Sequence, residues 1–274
     1  MKQLLWVGAG DLAQRCVPHL AAGQWHTTAL QRRSRPSAFD RSLLADVTDA
    51  SSLDGLPAET THIVYSVTPA DRSPESYSAV YETGLQNLLQ KINKDQLERF
   101  IFISSTAVYG PDTVPQDEHS MLRPSAFNGE YLVRAEQFLQ KELGDKLTII
   151  RFSGLYGPGR HRIFDLIRQQ SLRINPAMDN YANRIHSEDA ARVCAHVLLL
   201  PQAADCYVGT DSTPIPLRRL YAHLAEQLQV PAPAFDASLA YESKHFSNQR
   251  LLSSGFLFLY PDPLKGYSAL LSSL

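Results

Sequence analysis

The first residues whose spacing carries chemistry are Gly8, Ala9, Gly10, Asp11, Leu12 and Ala13, which directly follow the apolar run Leu4-Leu5-Trp6-Val7. A strand, a GxGxxA turn and the start of a helix, in that order, form a dinucleotide-binding fingerprint. Gly8 permits the tight turn, Gly10 lets the backbone approach a pyrophosphate, and Ala13 is small enough for close helix–strand packing. The helix start adds unpaired amides and a partial positive charge. Roughly twenty residues beyond such a turn, an Asp or Glu usually binds the ribose 2′-hydroxyl. Here that place reads Leu30-Gln31-Arg32-Arg33-Ser34-Arg35. No acid is present, and the guanidinium groups of Arg32 and Arg33 suit a 2′-phosphate through charge-assisted, bidentate bonds. The expected cofactor is therefore NADP(H) in preference to NAD(H). Asp46, just past the third expected strand, is a candidate partner for the adenine amino group, although an Asp there is also an ordinary helix cap.

These residues need a sheet edge to hold them, and the pattern of the first 155 residues predicts one. Strand-length apolar runs alternate with helix-length amphipathic segments, as in repeated βαβ units. Strands are expected at Leu4–Val7, Thr27–Leu30, Ser42–Ala45, His62–Ser66, Phe100–Ile103 and Leu147–Ile150, with helices near 75–92 and 129–143. Farther on the pattern is less regular, with helices near 163–173, 187–200 and 216–229 and frequent prolines. The expected organisation is a nucleotide-binding domain over 1–155, rejoined by parts of the later chain, and mainly a substrate-binding lobe over 156–274.

The 274 residues are 44% hydrophobic and 20% charged, with a formal net charge of −2, the composition of a folded protein rather than a disordered one. That charge gives no reason to expect nucleic acid or an anionic membrane as partner, so a small molecule is expected. Cys16, Cys194 and Cys206 are widely separated and lack zinc-finger histidines, which predicts neither disulfides nor a metal site. No apolar run is long enough to span a bilayer, and a cytoplasmic location is the default expectation.

Three further segments join the glycine turn: Phe102-Ile103-Ser104-Ser105-Thr106-Ala107-Val108-Tyr109-Gly110, Arg151-Phe152-Ser153-Gly154-Leu155-Tyr156-Gly157-Pro158-Gly159-Arg160, and Arg184-Ile185-His186-Ser187-Glu188-Asp189-Ala190-Ala191. Together they resemble the extended short-chain dehydrogenase/reductase superfamily, in its NAD-dependent epimerase/dehydratase group, among the atypical members with a GxGxx(G/A) turn. The resemblance covers nearly the whole chain. It implies an α/β fold, with a Rossmann-like doubly wound parallel sheet and a smaller C-terminal substrate lobe. It also implies a nicotinamide cofactor and substrates that are often nucleotide-linked sugars or other alcohol and carbonyl compounds. On this likeness Ser105 holds the reacting substrate oxygen, Ser104 lies at the cofactor and Thr106 at the substrate. Arg160 and His161, after the Gly157-Pro158-Gly159 turn, are candidates for an anionic substrate. A homodimer is a family-level expectation.

The chain departs from the family where the family's proton chemistry resides. The usual YxxxK pair is missing from Phe127-Asn128-Gly129-Glu130-Tyr131-Leu132-Val133-Arg134-Ala135-Glu136. If Glu136 matches a common family glutamate, Asn128 and Leu132 replace Tyr and Lys; if Tyr131 matches the Tyr, Ala135 replaces the Lys. Tyr131, with Arg134 three residues on, is a conceivable substitute, yet a guanidinium stays protonated and cannot relay a proton. His186 and Asp189 are expected to be structural. Two functions remain open: an epimerase/dehydratase-like oxidoreductase with an atypical active site, and a catalytically degenerate NADP(H) sensor.

Overall fold

The computed structural model describes residues 1–176, 180–239 and 243–274. The chain runs β1 (Lys2–Val7), α1 (Asp11–Cys16), β2 (Trp25–Gln31), β3 (Arg41–Leu44), β4 (His62–Tyr65), α2 (Pro74–Ser78), α3 (Gly84–Lys91), β5 (Arg99–Ser105), α4 (Phe127–Leu143) and β6 (Leu147–Phe152). It continues with β7 (Gly154–Tyr156), α5 (Arg162–Arg168), β8 (Arg173–Ile174), β9 (Arg184–His186), α6 (Ser187–Leu199), β10 (Cys206–Gly209), α7 (Leu217–Gln227), β11 (Ala234–Phe235), α8 (Gln249–Ser253) and α9 (Pro263–Ser272).

Seven strands form one parallel sheet in the order β10-β6-β5-β4-β1-β2-β3. The order reverses at β1, whose neighbours are β2 on one side and β4 on the other. Such a switch point leaves a crevice at the carboxyl ends of the strands, where open α/β sheets bind ligands. Leu5, Trp6, Val7, Ile63, Val64, Tyr65, Phe100 and Phe102 are fully buried, as continuous apolar runs in a two-sided parallel sheet require.

Two local features depart from a plain βαβ pattern. Residues 32–40 return from β2 to β3 without a helix, and Asp40 pins the return by accepting from the Thr27 amide and hydroxyl, both at 2.8 Å. The expected helix over 75–92 is split by a wider π-helical turn at Ala79–Thr83. The Tyr65 hydroxyl donates to the Val80 carbonyl at 2.7 Å, and a Cβ on Gly84 would lie 2.9 Å from that hydroxyl. The buried phenol thus occupies space and an acceptor that a regular helix would use. The expected helix over 163–173 stops earlier because Gln170 takes a positive φ of 52°, after which Arg173–Ile174 pairs in parallel with Ala234–Phe235.

The chain divides into two compact units that it visits alternately: Met1–Val108, Leu122–Arg151 and Ala191–Tyr207 in the first, and Tyr109–Met121, Phe152–Ala190 and Val208–Leu274 in the second. The second unit has its own core, in which Tyr156, Phe164, Ile167, Leu220, Leu224 and Tyr267 are buried together. Tyr156 stacks on Tyr267 with centroids 4.1 Å apart.

In the first unit, α4 approaches the end of β5 so closely that a Cβ on Gly129 would collide with the Ala107 carbonyl oxygen. The replacement Gly129→Ala is therefore expected to destabilise the protein by about 1–3 kcal/mol in urea unfolding, the range for overpacking. At Gly10 a Cβ would meet nothing nearer than 4.0 Å, and Gly10→Ala should leave the ligand-free unfolding midpoint nearly unchanged.

Candidate functional site

The turn after β1 is shaped by two glycines for different reasons. Gly8 has φ +84°, and a Cβ there would lie 2.8 Å from the Val67 backbone, so the protein itself demands glycine. The Gly8 and Ala9 amides donate to the Leu30 carbonyl at 3.0 and 3.3 Å, tying the turn to the end of β2. The Ser66 hydroxyl donates to the Gly8 carbonyl at 3.0 Å and accepts from Trp6 Nε1 at 2.7 Å, which ties it to the end of β4. Gly10 is different, because its nearest neighbour is the Gly8 carbonyl at 4.0 Å from a built Cβ. The space beside it fits the close backbone approach that a pyrophosphate requires. Asp11 opens α1 and pairs with Arg15 at 2.8 Å, Leu12 is half-buried, and Ala13 is fully buried.

At the end of β2, Arg32 and Arg33 are exposed. One Arg32 terminal nitrogen lies 4.0 Å from Asp46 Oδ2, while Asp46 Oδ1 accepts from the Thr48 amide and hydroxyl at 2.9 and 2.8 Å. Asp46 thus closes the turn after β3 and faces Arg32 with its other oxygen. Sequence reasoning weighed the arginines and passed over Gln31. The residue is only 7% exposed, and among the described residues neither Nε2 nor Oε1 has a hydrogen-bond partner. The available signal was its place, the last residue of β2, where a carboxylate is usual.

The end of β5 is fixed by a buried charged group. Ser104 Oγ donates to Glu136 Oε1 at 2.6 Å, and Arg151 donates through Nε to Oε1 at 3.1 Å and through a terminal nitrogen to Oε2 at 2.7 Å. Glu136 and Arg151 are 3% and 6% exposed. The Ser104 hydroxyl is therefore engaged inside the protein. Ser105 is half-buried and its hydroxyl accepts from the Ala107 amide at 3.2 Å, leaving its proton available to a further acceptor. Thr106 follows in a short 3-10 turn and is also half-buried.

The same network sets the rotation of α4. Glu136 and Gly129 are seven residues apart, about 20° from exact superposition around a helix, so one line of α4 faces Ser104 and Ala107. Leu132 is buried near that line. Tyr131 is about 200° from Gly129. It packs with Tyr77 at 6.2 Å, and the Arg134 guanidinium lies over its ring at 4.1 Å while facing Glu82 at 3.5 Å. The structure therefore does not bring Tyr131 to the Ser105 turn, and Arg134 meets the aromatic face.

In the second unit, Arg160 is exposed and His161 half-buried. His161 Nε2 accepts from the Gly159 amide at 3.2 Å, and its buried Nδ1 has no hydrogen-bond partner among the described residues. Asp189 is fully buried and accepts from the Leu259 and Tyr260 amides, both at 2.8 Å. His186 accepts from the Glu188 amide and stacks on Tyr260 at 3.9 Å. Both residues thus tie the C-terminal segment to β9 and α6. Burial pushes the Asp211 carboxyl up to about 9 despite the opposing Arg184 charge, and its Oδ2 has no hydrogen-bond partner among the described residues. Among the described residues, no group of three or more His, Cys, Asp or Glu could hold a metal ion, all three cysteines are buried, and no helix is long and apolar enough to cross a membrane.

Comparison with known proteins shows the family. The profile of the NAD dependent epimerase/dehydratase family matches residues 8–208. Protein YeeZ of Escherichia coli (strain K12) is 29% identical, over 96% of this chain and 98% of its own. A Methylobacillus flagellatus structure whose own description is that of an NAD-dependent epimerase/dehydratase is 31% identical, covers 99% of this chain and 98% of its own, and has a TM-score of 0.82. The Thermotoga maritima UDP-glucose 4-epimerase, solved with UDP-glucose, shares the fold at 13% identity and a TM-score of 0.80, covering 98% of this chain and 97% of its own.

Two expectations follow for stability. Glu136→Leu strands the buried Arg151 charge and should cost about 3–5 kcal/mol in urea unfolding, whereas the double variant Glu136→Leu/Arg151→Met should recover most of the loss. Native Asp211 keeps its proton up to about pH 9, while the unfolded chain releases it above the ordinary value of 3.8. The unfolded state then binds fewer protons, so this group makes stability fall as pH rises between those limits. Asp211→Asn should raise the thermal midpoint relative to wild type, by more at pH 8 than at pH 5.

Proposed function

Because the chain belongs to the NAD dependent epimerase/dehydratase family, we propose that it is an NADP(H)-dependent oxidoreductase of epimerase/dehydratase type. Its substrate is a sugar nucleotide or a related alcohol or carbonyl compound. The observation that carries this reading is a glycine turn with open space at Gly10, beside a β2 end that holds Arg32 and Arg33 and no acid. Gly8, Ala9, Gly10, Asp11, Leu12 and Ala13 form the pyrophosphate turn, Asp46 takes the adenine amino group, and Arg32 and Arg33 take the 2′-phosphate. Ser104 is assigned to the cofactor in the same reading, with its hydroxyl donating to Glu136.

When bound, the nicotinamide supplies or accepts a hydride. Ser105 binds the substrate oxygen through its hydroxyl, whose lone pair is already oriented by the Ala107 amide. Thr106 adds a second hydroxyl for the substrate, and Arg160 and His161 contribute cationic and imidazole contacts suited to the anionic part of a sugar nucleotide. Neither Asn128 nor Leu132 has a side chain that titrates near neutral pH. Tyr131 packs on Tyr77, and in this reading the substrate hydroxyl proton passes either to Tyr131 or to solvent water. A cytoplasmic homodimer belongs to the same reading, its subunit count being measurable by light scattering.

A second reading, a sensor that binds NADP(H) without turnover, draws on the missing dyad and the packing of Tyr131. Calorimetric titration with NADP, NADPH, NAD and NADH, on wild type, Arg32→Ala and Arg33→Ala, tests the shared premise. NADP(H) should bind more tightly, and each arginine change should reduce that preference by about tenfold, the effect of one charged hydrogen bond. Absence of all four interactions would refute both readings. Turnover of UDP-sugars or aldehydes, followed by NADPH fluorescence, should fall at least about a hundredfold in Ser105→Ala and stay near wild type in Tyr131→Phe. Tight binding with no turnover on that panel would favour the sensor.

A further inference from the structure

On α4 the buried residues Gly129, Leu132, Ala135, Glu136, Leu139 and Leu143 lie along one side of the helix. At about 100° per residue, Asn128 is about 40° around the axis from Leu132 and about 20° from Ala135. It therefore belongs to that same side, in the first helical turn. A polar residue is tolerated there because the buried face opens at this end. Asn128 is half-buried, and its amide forms no hydrogen bond with the described residues and is not sealed from solvent. Its neighbour Gly129 abuts the Ala107 carbonyl, and the Ala107 amide donates to Ser105 Oγ at 3.2 Å. The open end of the buried face thus brings the Asn128 amide beside the turn that carries Ser105 and Thr106, both half-buried.

The amide and the two hydroxyls share a property that bears on the reaction. All three donate hydrogen bonds, and none gains or loses a proton between about pH 6 and pH 9. Oxidising an alcohol requires a group that takes its proton, with a pKa near the working pH. Reducing a carbonyl instead develops negative charge on its oxygen, which fixed donors stabilise. We propose that Asn128 and Ser105 hold the oxygen of a substrate that arrives as a ketone or aldehyde, the amide and the hydroxyl both donating to it. The proposal rests on the oxidoreductase reading above and adds to it a direction, a substrate class and a second donor. The carbonyl carbon takes the hydride from NADPH, the carbonyl π pair moves to oxygen, and that oxygen takes a proton from water. The carbonyl is reduced to an alcohol, NADPH is oxidised to NADP, and the hydroxide left behind passes to the buffer.

The test uses the full chain as wild type, Asn128→Ala and Asn128→Asp. Each is assayed with NADPH on a UDP-4-keto sugar and a set of simple ketones and aldehydes, and with NADP on the matching alcohols. Melting and calorimetric titration with NADP check that the fold and the cofactor turn are intact in each variant. Wild type should reduce a carbonyl with a kcat that stays level between about pH 6 and pH 9. Asn128→Ala should lose about a hundredfold in kcat with little change in KM, the effect of removing one donor to a developing oxyanion. Asn128→Asp should gain activity as pH falls from about 8 to about 5, because a protonated carboxyl donates and a carboxylate only accepts. A merely structural role for Asn128 would leave the pH profile level. Should Asn128→Asp fail to fold, Asn128→Ala and the wild-type profile decide. If Asn128→Ala turns over near the wild-type rate, or Asn128→Asp keeps a level profile, Asn128 is no donor and the proposal falls, with the oxidoreductase reading intact. The same follows if wild type oxidises the alcohols through an ionisation near neutral pH and leaves the carbonyls untouched. If wild type binds NADP and turns over nothing in either direction, the oxidoreductase reading itself fails and takes the proposal with it.

Discussion

A carboxylate and a guanidinium taken out of water together are tolerated only where their geometry satisfies nearly every charged atom. Glu136 and Arg151 meet that condition with two hydrogen bonds between them and a third from Ser104. The pair joins the middle of α4 to β6 and, through Ser104, to the end of β5. Because a buried ion pair cannot slide or rotate without stranding a charge, it sets the angle of α4 about its axis. That angle brings Gly129 against Ala107, buries Leu132 and sends Tyr131 to the far side of the helix. The arrangement of Ser104 and Ala107 against α4 follows from this one interaction.

The glycine turn shows a complementary constraint, because two residues of one type are held for different causes. Gly8 answers to the protein, whose Val67 backbone leaves no room for a side chain and whose turn needs a positive φ. Gly10 answers to nothing inside the protein and instead leaves space at the switch point of the sheet. Gln31 is the polar counterpart, a buried amide with no hydrogen-bond partner among the described residues. Elsewhere polar burial serves structure: Asp189 collects two backbone amides of the C-terminal segment, and the Tyr65 hydroxyl takes a helical carbonyl and forces a π turn.

Hydrophobic periodicity and glycine chemistry are local properties, and they made the alternating strands, the position of the nucleotide turn and the family legible from residue types alone. The same holds for the lost YxxxK pair and the acid-free end of β2, since both are matters of which residue stands where. Other features depended on distant partners. The register between Asn128 and Tyr131 became clear only when Glu136 met Arg151 and Ser104, and the return from β2 to β3 without a helix became clear with the Thr27–Asp40 hydrogen bonds. Which later segment rejoins the first unit also required the folded chain, because Ala191–Tyr207 carries no local mark of the strands it packs among.

The sequence by itself determined the family, the parallel α/β architecture and the turn at Gly8 to Ala13, because those depend on side-chain type and spacing within a few residues. Only the tertiary structure decided which side of α4 faces Ser104 and Ala107, and that the Gln31 amide has no partner among the described residues. Rotation and hydrogen-bond satisfaction are sums over groups far apart in the chain, and they have values only once the chain has folded.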